Sequence, residues 1–362
     1  MATIVNTMIQ GLTEQMIQAR LNTADASKFL FGVHFPVKKV NGFKWKTLQN
    51  QLEKKNVAAD LHTDNGTILR KRRPIFETAM GDIPFISISR DLTRAEIKEY
   101  QTALAFAQDE DATKLVQYWG EDVDFCFNGV QSELEFIAWK LASNAGVLHF
   151  TPTTNATFAN EFDLDYDVDE DMKQKTGSDW AKSASADIIG DLVSLVKFAK
   201  AKGLNPKFAF INQDELYKIC SADQIIKACA SYLSNAVGMS QTPDLTQVNG
   251  MLAKQAWLNG IQLRVVDQTI TREFADGTST SGNPFENSRL ILSETERLGS
   301  TQYDILAENN DLILRAERSH TVVKKYGTVE PQSEVTIGQA DAVPVFDSAY
   351  RNIYLRTDGK EW

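Results

Sequence analysis

Apolar residues recur along this chain with two different periods, and each period predicts its own kind of element. Between residues 111 and 145, Leu115, Trp119, Val123, Cys126, Val130, Leu134, Ile137 and Leu141 follow one another at steps of four or three, averaging close to one helical turn. The spacing predicts one long amphipathic helix over 111–145, ending near Gly146. At 1.5 Å per residue it would run about 50 Å, longer than a compact domain needs, and Gly120 and Gly129 inside it permit bending.

A second helix is expected over about 185–202, where Ile189, Leu192, Leu195, Val196 and Ala199 share a face and Gly203 and Pro206 supply the stop. Beyond it lie a strand KFAFI, helices through 213–237 and 245–258, a strand GIQLRVV, a polar loop over 275–288 and a strand RLILS. Helices and strands mix in α+β fashion, with the 275–288 loop the expected mobile element.

The first 30 residues carry Ile4, Met8, Leu12, Met16 and Ile17 at near-helical spacing and then the small polar stretch NTADAS. This predicts an arm, not a domain. From Phe29 to Arg73 the runs FLFGVHFPV and GFKWKTL read as β, and Asn65-Gly66 before TILRKRR is a two-residue turn signal. A long twisted hairpin extension follows from that order.

Charge sharpens the division. Residues 38–73 hold ten Lys or Arg against Glu53, Asp60 and Asp64, whereas residues 74–171 hold twenty Asp or Glu against five Lys or Arg. A basic limb is joined to an acidic body. With 362 residues, 43% of them hydrophobic, the chain can bury a full core, and a net charge of -10 argues against a protein whose main task is holding phosphate backbone. Cys126, Cys220 and Cys229 show neither a CxxC nor a Cys/His metal spacing, so free buried thiols are expected. No apolar run is long enough to span a membrane, and MATIVNTMIQGLTEQ lacks the pattern of a secretory signal.

Candidate chemistry is sparse. Asp163, Asp165, Asp167 and Asp169, followed by Glu170 and Asp171, place carboxylates two apart on one face of a strand, as a divalent-ion site might. A calcium loop starting at Asp163 would need Gly at 168 and Glu at 174, where Val168 and Gln174 stand. Arg70, Lys71, Arg72 and Arg73, with Lys54 and Lys55, suit docking on the acidic residues of a neighbouring copy better than DNA. His34, His62, His149 and His320 lie outside any GxSxG or HExxH frame, and no phosphate-cradling glycine motif occurs. Trp45, Trp119, Trp139, Trp180, Trp257 and Trp362 read as packing residues before they read as a platform for bases. No catalytic residue, cofactor or metal is expected. A hydrolase using the 163–171 carboxylates would lack a histidine cluster to partner them.

Between Asp163 and Leu216 the chain runs through the acidic stretch, then Trp180, then SASADIIGDLVSLVKFAKAKGLNPKFAFINQDEL, with Trp180, Asp187, Asp191, Leu192, Gly203 and Pro206 in order. Also collinear are DIPFISISRDLTRAEI before the long helix, Glu133 and Gly146 around its second half, GIQLRVVDQTI followed by ADG, LGSTQYDI, and QADAVPVFD. This pattern resembles the lambda-like major head proteins, the major capsid protein E family. The resemblance implies an α+β, Hong Kong 97-like fold: an N-terminal arm over 1–30, an extended hairpin loop over 31–80, a peripheral domain over 81–172 with its spine helix, an axial domain over 173–310, and return strands over 311–362 completing the peripheral domain.

It further implies a major capsid protein of a tailed bacteriophage, assembled with copies of itself into hexamers and pentamers of an icosahedral shell around double-stranded DNA. Scaffold and portal proteins, and a possible decoration protein, are the implied partners; no membrane is. The virion capsid, built in the host cytoplasm, is the implied location. An encapsulin-type nanocompartment shell is the alternative, sharing the fold but enclosing protein cargo.

Overall fold

The computed structural model describes residues 4–49, 77–106, 112–150, 162–232, 242–274, 277–308 and 310–362. Along the chain come β1 (Ile4–Val5), α1 (Glu14–Thr23), α2 (Phe31–His34), β2 (Val37–Lys39), β3 (Lys44–Gln49), β4 (Glu77–Asp82), β5 (Phe85–Thr93), α3 (Arg94–Phe106) and α4 (Ala112–Ser143). Then follow β6 (Val147–Phe150), β7 (Phe162–Asp165), β8 (Lys173–Lys175), α5 (Ile188–Ala201), β9 (Phe208–Asn212), α6 (Gln213–Ser221), α7 (Asp223–Tyr232) and α8 (Leu245–Lys254). The last elements are β10 (Gln262–Val266), β11 (Ile270–Glu273), β12 (Ser279–Gly282), β13 (Arg289–Ser293), β14 (Ser300–Asp304), β15 (Leu314–Arg318), β16 (Thr321–Val329), β17 (Gln332–Val345) and β18 (Ile353–Arg356).

The chain divides into two compact units, one of residues 1–45, 80–138 and 300–345, the other of residues 46–79, 139–299 and 346–362. In the first, among the described residues, a seven-stranded sheet runs β1-β16-β17-β14-β2, with β15 also on β16 and β5 also on β17. The long hairpin β16–β17 pairs Val322 with Gln339 through to Val329 with Gln332. Against the sheet lies the expected long helix, α4, about 48 Å at helical rise. Its approach is close: a Cβ on Gly338 would stand 2.5 Å from the Cys126 carbonyl oxygen, and one on Gly129 would stand 2.6 Å from Ile88 Cδ1. Gly129, expected as a point of bending, is thus a point of contact with β5.

The segment expected as an arm is folded onto its own unit. Ile9, Leu12, Ile17 and Leu21 join Trp119, Val123, Phe127 and Val323 in one buried cluster, and β1 pairs with Thr328 and Gly327 of β16. α1 is real, capped by Thr13, whose hydroxyl accepts from the Met16 N–H. The run FLFGVHFPV, expected as β, begins instead with the helical turn α2. Phe31 and Phe35, four apart, are both buried, and Phe35 N–H donates to the Phe31 carbonyl at 2.6 Å. Glu135 takes the Phe31 N–H at 2.7 Å; this partner about a hundred residues away fixes the turn, and a short apolar run cannot announce it.

In the second unit the sheet order is β10-β9-β13-β18-β8, with β10 parallel to β9 and β13 antiparallel to β9 and β18. The return strands expected over 311–362 therefore divide: β15 to β17 belong to the first sheet, and β18 completes the second, between β13 and β8. α5 starts at Ile188 because the Asp187 carboxylate caps the Gly190 N–H, and it buries Ile188, Leu192, Leu195, Val196 and Ala199. Part of the expected 275–288 loop is structured. β12 pairs back on β11, Ile270 with Gly282 to Glu273 with Ser279, and Phe285 is buried, its ring 6.3 Å from that of Trp139.

Candidate functional site

The acidic row is built by β-alternation. β7 pairs with β6 in antiparallel register, Val147 with Asp165 and His149 with Asp163. Leu148, Phe150, Leu164, Tyr166 and Val168 turn inward and are buried, so Asp163, Asp165, Asp167 and Asp169 face outward and are exposed. Tyr166 anchors the inner face: its hydroxyl accepts the Phe346 N–H at 3.0 Å, and burial raises its pKa well above that of an ordinary tyrosine, so the phenol holds its proton more tightly. The row bends where Asp165 Oδ1 accepts the Asp167 N–H at 2.8 Å, with Asp167 at a left-handed φ of 47°.

Each carboxylate has a different neighbour. Asp163 meets His149 Nδ1 at 2.9 Å, Glu170 accepts from Lys173 at 2.7 Å, and Asp171 accepts from Lys202 at 3.2 Å. All these acids are exposed, so each pair contributes well under about 1 kcal/mol. Among the described residues no three His, Cys, Asp or Glu side chains converge as metal ligands.

Of the basic limb, Lys54, Lys55, Arg70, Lys71, Arg72 and Arg73 lie outside the described residues, as does His62. Its root is described: β3 and β4 pair, Lys38, Lys39 and Lys44 are exposed, and Trp45 is buried between Lys44 and Lys46. A Cβ on Gly81 would stand 2.7 Å from the Trp45 indole nitrogen, so the hairpin base is closed by a ring laid on a glycine.

His34 and His320 fall in the first unit, His149 in the second. His320 is buried, with Nε2 3.1 Å from the Gln131 side-chain oxygen and its ring edge-on to Phe31 and Tyr303; burial holds it down at about 4. The thiols are free and buried, and desolvation pushes Cys126 and Cys229 up to about 11, far from a nucleophile's range. Trp45, Trp119, Trp139 and Trp180 are core residues; Trp257 is exposed. Trp180 Nε1 donates to Asp191 at 2.9 Å, and the Gly177 N–H reaches the same carboxylate, which gives the Trp180/Asp191 motif a physical role in fixing the start of α5.

The sequence did not reveal a buried charged cluster in the first unit. Lys325, fully buried, donates to Thr336 Oγ1 at 2.6 Å and stands 3.8 Å from Asp122. Burial pushes the Asp122 carboxyl up and the Lys325 ammonium down. Glu334, also fully buried, accepts the Thr7 hydroxyl at 2.6 Å and the Met8 N–H at 2.7 Å. No local signal marks these charges, because along β17 the buried positions include polar Glu334 and Thr336 while apolar Val335 and Ile337 stand half-buried, so the hydrophobic alternation points to the opposite face.

The mixed architecture, the long helix on a hairpin-rich sheet and the second α+β sheet define a Hong Kong 97-like fold. Among solved structures, the chain is similar to a phage-related protein from Bordetella bronchiseptica at a TM-score of 0.54 and 11% identity, over 96% of this chain and 98% of that one. It is similar also to a protein assigned as the capsid protein of an Escherichia coli prophage, at a TM-score of 0.56 and 11% identity, over 95% and 99%. No family model matches the sequence, and no curated protein does.

Proposed function

We propose that this chain is a capsid shell protein, the major head protein of a tailed bacteriophage, and that it acts by assembly and not by catalysis. The observation that carries this reading is the Hong Kong 97-like fold over nearly the whole length of both partners in the comparison. Copies would form hexamers and pentamers of an icosahedral shell that encloses packaged DNA, with scaffold and portal proteins, and a decoration protein where the head carries one, as partners in the host cytoplasm. Residues 1–30 would serve as the arm, 31–80 as the extended hairpin, 81–172 with α4 and the strands of 314–345 as the peripheral part, and 173–310 as the axial part.

Contacts between copies would be weak one by one and strong in sum, since a closed symmetric array repeats each of them. Lys54, Lys55, Arg70, Lys71, Arg72 and Arg73 would meet acidic residues of the adjacent subunit, with Asp163, Asp165, Asp167 and Asp169 the exposed candidates. A net charge of -10 leaves the shell unsuited to gripping phosphate, which fits loose confinement of DNA.

The test is to express the chain, with a scaffold protein where one is known, and to examine it by negative-stain electron microscopy and sedimentation velocity across concentrations. Shells, tubes, sheets or rings of six and five are expected. A monomer or dimer at every concentration, with scaffold present, overturns the reading; shells purified with enzyme cargo and no DNA would favour the nanocompartment.

A further inference from the structure

Among the described residues the sheet of the first unit ends on one side at β2, all three of whose residues, Val37, Lys38 and Lys39, are exposed. β14 covers one edge of β2 in parallel register, Thr301 beside Val37 and Tyr303 beside Lys39. The other edge has no strand beside it among the described residues, so alternate N–H and C=O groups along it are open to a further strand. Val37, on this strand, is 45% exposed. Lys38, Lys39 and Lys44 form no ion pair among the described residues.

Lysines on an open edge repel a second edge of the same kind, and the same charge selects an acidic strand as occupant. The chain contains one. Among the described residues β7 has a neighbour, β6, on one side only, and it presents Asp163 and Asp165 two residues apart on its exposed face, about 7 Å along the strand. Asp165 has no basic partner among the described residues.

We propose that β7 of one copy lies along the free edge of β2 of a second copy, with Asp163 and Asp165, on one face of β7, set against Lys39, Lys38 pointing to the opposite face of the sheet. The inference rests on the shell-subunit reading and deepens it, because it places the docking of the acidic row on β2 instead of on Arg70 to Arg73. A three-residue edge buries little surface, so each joint is weak and takes its effect from repetition.

The experiment uses full-length subunits carrying Lys39→Cys or Asp165→Cys, assembled as a mixture and treated with a short bismaleimide; the native thiols are buried. A covalent dimer is expected from the mixture and from neither variant alone. In parallel, Lys38→Glu with Lys39→Glu should raise the concentration needed for assembly by about tenfold, and Asp163→Lys with Asp165→Lys should restore it, circular dichroism confirming that each variant is folded. Crosslinking of Asp165→Cys to Arg72→Cys but not to Lys39→Cys overturns the inference and leaves the shell reading intact. So does an unchanged assembly threshold in the charge-reversed variants. A wild-type chain that never assembles removes both.

Discussion

At the scale of single residues, His320 shows how the fold suppresses chemistry. An exposed imidazole takes a proton near pH 6.5, but His320 sits among Phe31, Tyr303 and Gln131 with Arg318 nearby, and burial, then that positive charge, hold it down at about 4. Between those values the unfolded chain binds a proton that the folded chain does not. Stability therefore falls as pH drops from about 6.5 to about 4, by up to about 3 kcal/mol, and no further below that. Chemical denaturation across this window should show that slope, and His320→Gln should flatten it whatever its own effect at neutral pH. Asp122, Asp191 and Asp341, each raised by burial, act with the opposite sign, so the difference between the two proteins is the quantity to measure. Four histidines in sequence offered no means of telling His320 from exposed His149. The distinction comes from the residues packed around each ring.

At the scale of elements, the legible features are those whose cause is local. The period of α4, the stop after α5 at Gly203, whose φ is 79°, and the alternation across Asp163 to Val168 all depend on neighbours within a few residues. α8 is another local case. Asp244 caps the Gln247 N–H while the Gln247 side chain returns to the Asp244 N–H, a complete capping box. Asp244→Ala should cost about 1 kcal/mol, read from the urea midpoint of the unassembled subunit, with little change in circular dichroism. The misread elements have distant causes: α2 is closed by Glu135, and the hairpin of β11 and β12 shows that a polar run can pair where its register with Ile270–Glu273 allows.

At the scale of the whole molecule, the N-terminal segment takes its place from partners more than three hundred residues along the chain. Thr7 and Met8 complete the hydrogen bonding of buried Glu334, and a Cβ on Gly327 would stand 2.9 Å from Met8 and Val5 side-chain carbons, pairings that no local pattern announces. Removing residues 1–12 strips two donors from a buried carboxylate and uncovers the sites of Ile9 and Leu12. The loss should reach roughly 4 kcal/mol or more, seen by hydrogen exchange as lost protection across β16 and β17, with the sheet of the second unit unchanged.

The sequence by itself determined the α+β character, the long helix, the uneven spread of charge along the chain and the outward face of the acidic row. Each is written in periodicity or in counts of charge along the chain. Only the tertiary structure decided that Glu334 would be satisfied by Thr7 and Met8, that Lys325 and Asp122 would share a buried site, that Gly338 would meet the backbone of α4, and that β2 would pair with β14. Those outcomes depend on pairings between residues up to some three hundred positions apart, whose cost and reward arise only when both partners leave water together.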